Sequence, residues 1–181
     1  MAKKNEVPDF MKATKVIRNE TARMVATEAV KFFKGSFVKG GFTDSSFNPW
    51  PKSKYPMAGK RTLYKRGTLM HSIRKMEDSN SVIVVGTDLE QGKIHNEGGY
   101  IVVTQLMKNF FWFKHLEHKG KNKKKAQFFK YMALKEVGTK IKIPQRQFIG
   151  HSAQLMNLLE KRNKELTVKE MAKAFKRIRF K

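Results

Sequence analysis

The strongest strand signal in the chain is the run Ser81-Val82-Ile83-Val84-Val85-Gly86-Thr87. Four consecutive β-branched residues are typical of a strand, because their side chains fit a pleated surface. Residues 72–77 come before this run, and Asp78-Ser79-Asn80 lies between the two as a turn. Together they predict a β-hairpin, which Gly67-Thr68-Leu69 leads into.

A second turn and strand follow the hairpin. The turn is Ile94-His95-Asn96-Glu97-Gly98-Gly99, and the strand is expected over residues 100–104. Gly98 and Gly99 supply the backbone freedom that a sharp reversal needs.

Residues 105–138 have helical character, and 139–143 return to a strand pattern. The apolar positions of this segment fall in two groups, separated by a lysine-rich stretch. The pattern predicts a helical hairpin inserted between two neighbouring strands. Its tip is either a solvated surface or a contact for DNA, and the lysines concerned are Lys119, Lys121, Lys123, Lys124 and Lys125.

The first part of the chain predicts a long amphipathic helix over residues 8–34, laid across a sheet, with Gly35 as its stop. Residues 35–62 hold several prolines and glycines, which predict a long irregular loop or arm. Its aromatic residues either pin the loop to the core or form an arm that contacts another subunit, and they include Phe47, Trp50 and Tyr55.

The last part predicts a compact turn at 143–150 and then C-terminal helices over 151–181. Thr167 with Glu170 forms a capping-box pattern, which predicts that a helix restarts there. The final residues are a basic tail.

A chain of 181 residues fits a single domain over 1–181, with residues 63–104 and 139–150 forming its sheet and turns. No run is long and apolar enough for a membrane span, and no secretory signal is recognisable. Without cysteine the chain has neither disulfides nor thiolate zinc sites. We expect synthesis in the cytoplasm.

Charge is the most unusual property of the composition. Lys and Arg number 39 against 15 Asp and Glu, a formal net charge of +24. Such an excess attracts polyanions, and nucleic acid, an acidic protein surface and an anionic membrane all qualify.

Enzymatic motifs are missing from the sequence. It has no GxxxxGK[ST], GxGxxG or GxSxG pattern, and its carboxylates are scattered. His115 and His118 are spaced to share a helix face but lack a third metal ligand, and His95 with Glu97 is the other candidate pair. We therefore expect no enzyme, no cofactor and no metal; a nuclease using His95 and Glu97 is a third hypothesis.

Several segments, taken in order, resemble the phage virion morphogenesis family, which includes tail-completion and head–tail joining proteins. A VxVGT strand, an IHxxGG turn and an IPxRxFxG turn succeed one another in that family. The corresponding segments are Trp50-Pro51, Leu63, Gly67-Thr68-Leu69, Ser72-Ile73, residues 82–87, Ile94-His95-Asn96-Glu97-Gly98-Gly99 and Ile143-Pro144-Gln145-Arg146-Gln147-Phe148-Ile149-Gly150. The family often has Gln at the position of Asn96, and a small residue and Pro where Gln145 and Gln147 flank Arg146.

The resemblance implies an α+β fold in which a long N-terminal helix packs on a small antiparallel sheet. It also implies a structural protein that forms a ring, expected to be a hexamer, in the neck or at the tail end of the virion. Arg146 would lock the last turn by binding carbonyls or a carboxylate. The residues given structural roles in turns are Gly67, His95, Gly98, Gly99, Pro144, Arg146 and Phe148.

The implied partners are further copies of the chain and neighbouring neck, connector or tail-tube proteins, with no membrane. Genomic DNA passing through the ring would meet its Lys and Arg residues non-specifically. The rival hypothesis is a free-standing basic protein that binds DNA without sequence preference.

Overall fold

The computed structural model describes residues 9–53, 62–78 and 82–175. Helix α1 spans Phe10–Lys39, and Asp9 caps it by accepting a hydrogen bond from the Lys12 backbone N–H at 2.8 Å. An acceptor at this position satisfies one of the free N–H groups of the first turn.

The end of α1 lies beyond the predicted stop. Gly35 is inside the helix, and Gly40, with a φ of 74°, ends it in the left-handed conformation. The extra turn buries Ser36 and Phe37. Burying a phenylalanine contributes about 2–3 kcal/mol, which outweighs the roughly 1 kcal/mol that a glycine costs inside a helix.

A short hairpin follows α1 where irregular backbone was expected. Strand β1 (Gly41–Thr43) pairs antiparallel with β2 (Phe47–Pro49). The expectation of a loop throughout 35–62 was therefore wrong, because a proline at the end of a two-stranded ribbon interrupts no further pairing. Residues 54–61, with Tyr55, lie outside the described part.

The hairpin predicted from the valine-rich run is confirmed. Strand β3 (Arg74–Asp78) pairs antiparallel with β4 (Ile83–Gly86), and a bulge shifts the register between Lys75 and Glu77. A short helix, α2 (Thr68–Ser72), leads into it. Val85 packs against the core.

The segment before Gly98 is helical, which the sequence analysis missed. Helix α3 spans Glu90–Glu97, so the IHNE residues form its last turn, and β5 (Gly99–Val102) follows. The prediction of a turn throughout 94–99 is correct only for Gly98, since Gly99 already belongs to β5. A helix of eight residues containing Gly92 and His95 gives little periodic signal.

The inserted helical hairpin is confirmed. Helix α4 (Gln105–His118) and helix α5 (Lys123–Ala133) lie between β5 and β6 (Lys140–Ile143), which pair antiparallel. Thr104 and Asn122 cap the two helices with their side chains. The insertion therefore leaves and re-enters the fold through one strand pair.

A single helix, α6 (Ala153–Phe175), follows the last turn. The predicted restart at Thr167 was wrong, since Thr167 and Glu170 lie in the helix interior. No glycine or proline interrupts residues 153–175, so nothing frees the N–H groups that a capping box would bind. The basic tail from residue 176 lies outside the described part.

Antiparallel pairs provide all the sheet structure of the described residues. They form three two-stranded sheets, where the sequence had suggested one small sheet. Helix α1 packs on β1, β4 and α6, and Phe10 meets Phe175 edge-on with ring centroids 5.8 Å apart. The fold is α+β. Its largest buried cluster contains Ala29, Phe33, Phe37, Phe42, Trp50, Leu69, Ile73, Phe148 and Leu155.

Candidate functional site

Three of the segments that carried the sequence motifs meet at one place. Residues 50–51 come from the end of the β1–β2 ribbon, 94–99 from the end of α3, and 143–150 from the turn between β6 and α6. Hydrogen bonds join all three segments. We refer to this assembly as the motif cluster.

Asn96 holds the last turn against α3. Its side-chain Oδ1 accepts hydrogen bonds from the backbone N–H groups of Phe148 and Ile149, each at 2.9 Å. Two adjacent N–H groups at a partly buried turn would otherwise lack an acceptor, which is costly. Asn96 thus takes the place of a missing backbone partner.

Arg146 is buried, with 7% of its surface exposed. Its Nε donates to the carbonyl of Pro51 at 3.1 Å, and its backbone N–H donates to the carbonyl of His95 at 2.7 Å. Burial lowers the pKa of the guanidinium from its ordinary value. The arginine thereby links all three segments, with a carbonyl as its side-chain acceptor.

Trp50 completes the cluster from the other side. Its indole N–H donates to the carbonyl of Gln147 at 2.7 Å, and its ring lies edge-on to Phe37 with centroids 5.3 Å apart. Phe148 is 1% exposed and lies 5.1 Å from the same Phe37 ring. The turn is therefore fixed by aromatic packing and hydrogen bonds together.

His95, in the last turn of α3, lies beside Arg146. Burial, followed by the positive charge of Arg146, lowers the pKa of its imidazole below the ordinary value of 6.5. Its Nδ1 is buried and has no hydrogen-bond partner among the described residues. A neutral imidazole fits this environment, whereas an imidazolium would be desolvated and repelled.

Gly98 within the cluster and Gly67 outside it both have a positive φ. Gly98 has a φ of 75°, and a Cβ there would lie 2.9 Å from the backbone nitrogen of Gln145. Gly67, with a φ of 77°, precedes α2. Gly99 begins β5, and Pro144 is half-buried immediately after β6.

The sequence analysis missed two residues that position α6. Asp44, in the β1–β2 turn, accepts the backbone N–H of Ala153 at 2.8 Å, and Ser152 Oγ accepts that of Leu155 at 3.1 Å. Ser152 could have been recognised as a helix cap from its place before an apolar stripe. Asp44 could not, since its partner is 109 residues away.

The tip lysines lie far from any enclosed environment. Lys119, Lys121, Lys123 and Lys124 are exposed, and Lys125 is half-buried. Lys119 and Lys121 belong to the turn between the helices, while the other three form the first turn of α5. The tip is thus an exposed cationic surface and not an enclosed binding site.

The remaining histidines of the insertion contact α5. His115 Nδ1 lies 2.8 Å from the carbonyl oxygen of Ala126, and the His118 ring stacks on Phe129 with centroids 5.5 Å apart. Within residues 9–53, 62–78 and 82–175, no three His, Asp or Glu side chains are grouped closely enough to hold a metal ion.

The aromatic residues considered as an arm have different environments. Trp50 is buried in the core, which agrees with the alternative that the loop is pinned. Phe47 is 46% exposed at the β1–β2 ribbon. Tyr55 lies outside the described residues.

Comparison with known proteins gives no family assignment: no family model matches the chain, and neither a curated protein nor a solved structure matches it. Among the described helices, none is both long and apolar enough to cross a membrane.

We predict that Asn96→Ala lowers the free energy of unfolding by about 2–4 kcal/mol, because two backbone N–H groups lose their acceptor. Asn96→Asp, which keeps an acceptor oxygen, should lose less. Chemical denaturation measures both variants. Glu97→Ala, at the exposed neighbouring position, is the control and should change stability by no more than about 0.5 kcal/mol. Equal losses at positions 96 and 97 would contradict the assigned role of Asn96.

Acid should destabilise the fold through His95. Since its pKa is lower in the folded chain than the unfolded value near 6.5, the unfolded state binds the proton first as pH falls. The contribution of His95 to stability is complete above that value and is lost as the pH drops towards the folded pKa. Urea denaturation at several pH values should show a weaker loss in His95→Gln than in wild type. His71→Gln, at an exposed histidine of α2, should retain the wild-type profile; the same pH dependence in both variants would refute the assignment.

Proposed function

We propose that this chain is a non-catalytic structural protein that assembles into a ring in the neck or at the tail end of a tailed-phage particle. The observation that carries the proposal is the motif cluster. Segments that resemble successive motifs of one family are far apart in sequence, yet they meet and bind one another. A chance series of short motifs would have no reason to do so.

The polar groups of the cluster have structural tasks, which supports a role without chemistry. Asn96 and Trp50 bond backbone groups, and Arg146 bonds a carbonyl. A catalytic base or nucleophile would need an open position beside it for a substrate. His95, the former nuclease candidate, instead lies partly buried beside a fixed positive charge.

Ring formation is supported by the surface. Large apolar side chains are exposed on several elements, including Tyr100 at 60%, Leu106 at 79% and Tyr131 at 62%. Exposed large apolar side chains favour association with another protein surface. Copies of the chain, neighbouring neck, connector or tail-tube proteins, and passing DNA are the proposed partners; the site is the virion, after synthesis in the host cytoplasm.

A second candidate function is non-specific DNA binding, favoured by the exposed lysines at the insertion tip and the net charge of +24. In this case the binding free energy would come mainly from contacts between lysines and DNA phosphates. Phosphate contacts release counterions, so such binding weakens steeply with salt. A ring component needs no such affinity in isolation.

Particles that lack the protein provide the test of the leading proposal. We expect electron microscopy of lysates from a phage with the gene deleted to show separate heads and tails, or tails without a defined end. Wild-type protein supplied from a plasmid should restore joined particles. Normally joined, infectious particles without the protein would refute the proposal.

The DNA-binding alternative predicts that the lysines at the insertion tip provide most of the affinity for DNA. Changing Lys119, Lys121, Lys123 and Lys124 to Gln would then reduce the salt slope by about 3–4, or roughly 0.9 per phosphate contact. The matched control removes four exposed lysines elsewhere and has the same net charge: Lys31, Lys161, Lys164 and Lys169 to Gln. Titration of duplex DNA at increasing salt measures both. Weak binding at about 0.15 M salt, reduced equally by the two variants, would eliminate the alternative.

A further inference from the structure

Helix α4 has more apolar surface than its partner helix covers. None of its residues is buried. Toward α5 it presents Phe111 and His118, which stack on Phe129 with centroids 6.3 and 5.5 Å away. Met107 is half-buried, and the other apolar side chains of α4 are exposed: Leu106 at 79%, Phe110 at 51%, Trp112 at 38%, Phe113 at 64% and Leu116 at 63%.

This surface is large enough to need a partner. We call these five exposed residues the α4 face. At about 150–250 Å² for each large side chain, the exposed fractions amount to roughly 600 Å². That is at the upper limit of apolar patches on soluble monomers, and most of the roughly 800 Å² that one partner contributes to a stable interface. A helix that is apolar on several sides is normally buried.

Polar groups within the α4 face favour a protein over a lipid surface. Leu106, Phe110 and Phe113 follow one line along the helix, and Trp112 and Leu116 follow another about 100° around it. Asn109 lies between the two lines, and Gln105, which donates a hydrogen bond to it at 2.9 Å, lies on the line of Trp112 and Leu116. In a bilayer these amides would be buried without further partners, whereas a protein surface can supply them.

The charge of the insertion defines the partner's chemistry. Residues 105–135 contain nine lysines and one glutamate, so the surface that receives α4 should be apolar and acidic. Residues 76–92 of the same chain contain four acidic residues and no lysine or arginine. The outer side of the β3–β4 hairpin carries Glu77 from that stretch, together with Arg74 of β3, which lies opposite Gly86. The charge of Arg74 is paired with Asp88 at 3.1 Å, so the cation is compensated on this side.

The β3–β4 hairpin has an exposed apolar and acidic surface of the kind expected to receive α4. Val84 is 39% exposed and pairs across the strands with Glu77, so their side chains share one side of the hairpin, opposite Val85 in the core. Met76, at the bulge, is 44% exposed. We call Met76, Glu77 and Val84 the β3–β4 face.

We propose that the α4 face of one copy packs on the β3–β4 face of a second copy. The contact deepens the ring assembly proposed above and rests on it. Because the two faces are different, each copy offers one of each, and the contact is head-to-tail. Repeated contacts of this kind close into a ring when the rotation between copies suits.

Two sets of substitutions test the contact. The helix variant carries Phe110→Ser and Phe113→Ser, and the sheet variant carries Glu77→Lys and Val84→Lys. Native mass spectrometry should show oligomers for wild type and monomers for each variant. An equimolar mixture of the two variants should form heterodimers, because it contains one intact pair of faces, and an unfolded variant could not do so. Val38→Ser with Val168→Ser, exposed at 60% and 69% on other elements, should assemble as wild type does.

Three outcomes would overturn the contact. One is assembly that neither variant weakens, which would leave a ring possible through other surfaces. Another is that the mixture of the two variants, or the wild-type protein itself, stays monomeric. The deletion experiment alone would then decide the role of the protein in the particle. The third is binding of wild type to phosphatidylglycerol vesicles that the helix variant loses, which would assign the α4 face to lipid.

Discussion

Phe37 is fully buried, and its ring centroid lies 5.3 Å from that of Trp50 and 5.1 Å from that of Phe148. Residues of the β1–β2 ribbon end and of the final turn therefore meet on one side chain of α1. Truncating such a phenylalanine typically costs about 3–5 kcal/mol, a large share of the about 5–15 kcal/mol that stabilises a domain. The position of the final turn, and with it the start of α6, depends on this contact.

Hydrogen bonds then give that aromatic contact a single geometry. Packing alone tolerates small rotations of a turn, but Asn96 and Trp50 each bind particular backbone groups of residues 147–149. The buried Arg146 adds a bond to the Pro51 carbonyl and raises the electrostatic cost of protonating His95. The same residues that resemble family motifs are thus explained by the needs of the fold, and this favours a structural role over a catalytic one.

The inserted helical hairpin differs from the rest of the molecule in its contacts and in its surface. Its two helices are held together by Phe111, His118 and Phe129, and the strand pair β5–β6 anchors it. What remains outside is apolar along α4 and cationic at the tip. This exposed surface is the basis of the contact between copies proposed above.

The sequence alone determined the elements with strong local signals. The β3–β4 hairpin follows from consecutive β-branched residues, the insertion from its helical periodicity between two strand patterns, and the exposed tip from its run of lysines. Prediction from sequence failed at two helix ends. Helix α1 continues past Gly35 because Phe37 is buried, and α6 continues through a capping-box pattern because no residue interrupts it. The partners of Asn96, Trp50, Asp44 and Arg146 were decided only by the tertiary structure, since each lies more than 40 residues away along the chain and no local pattern carries that distance.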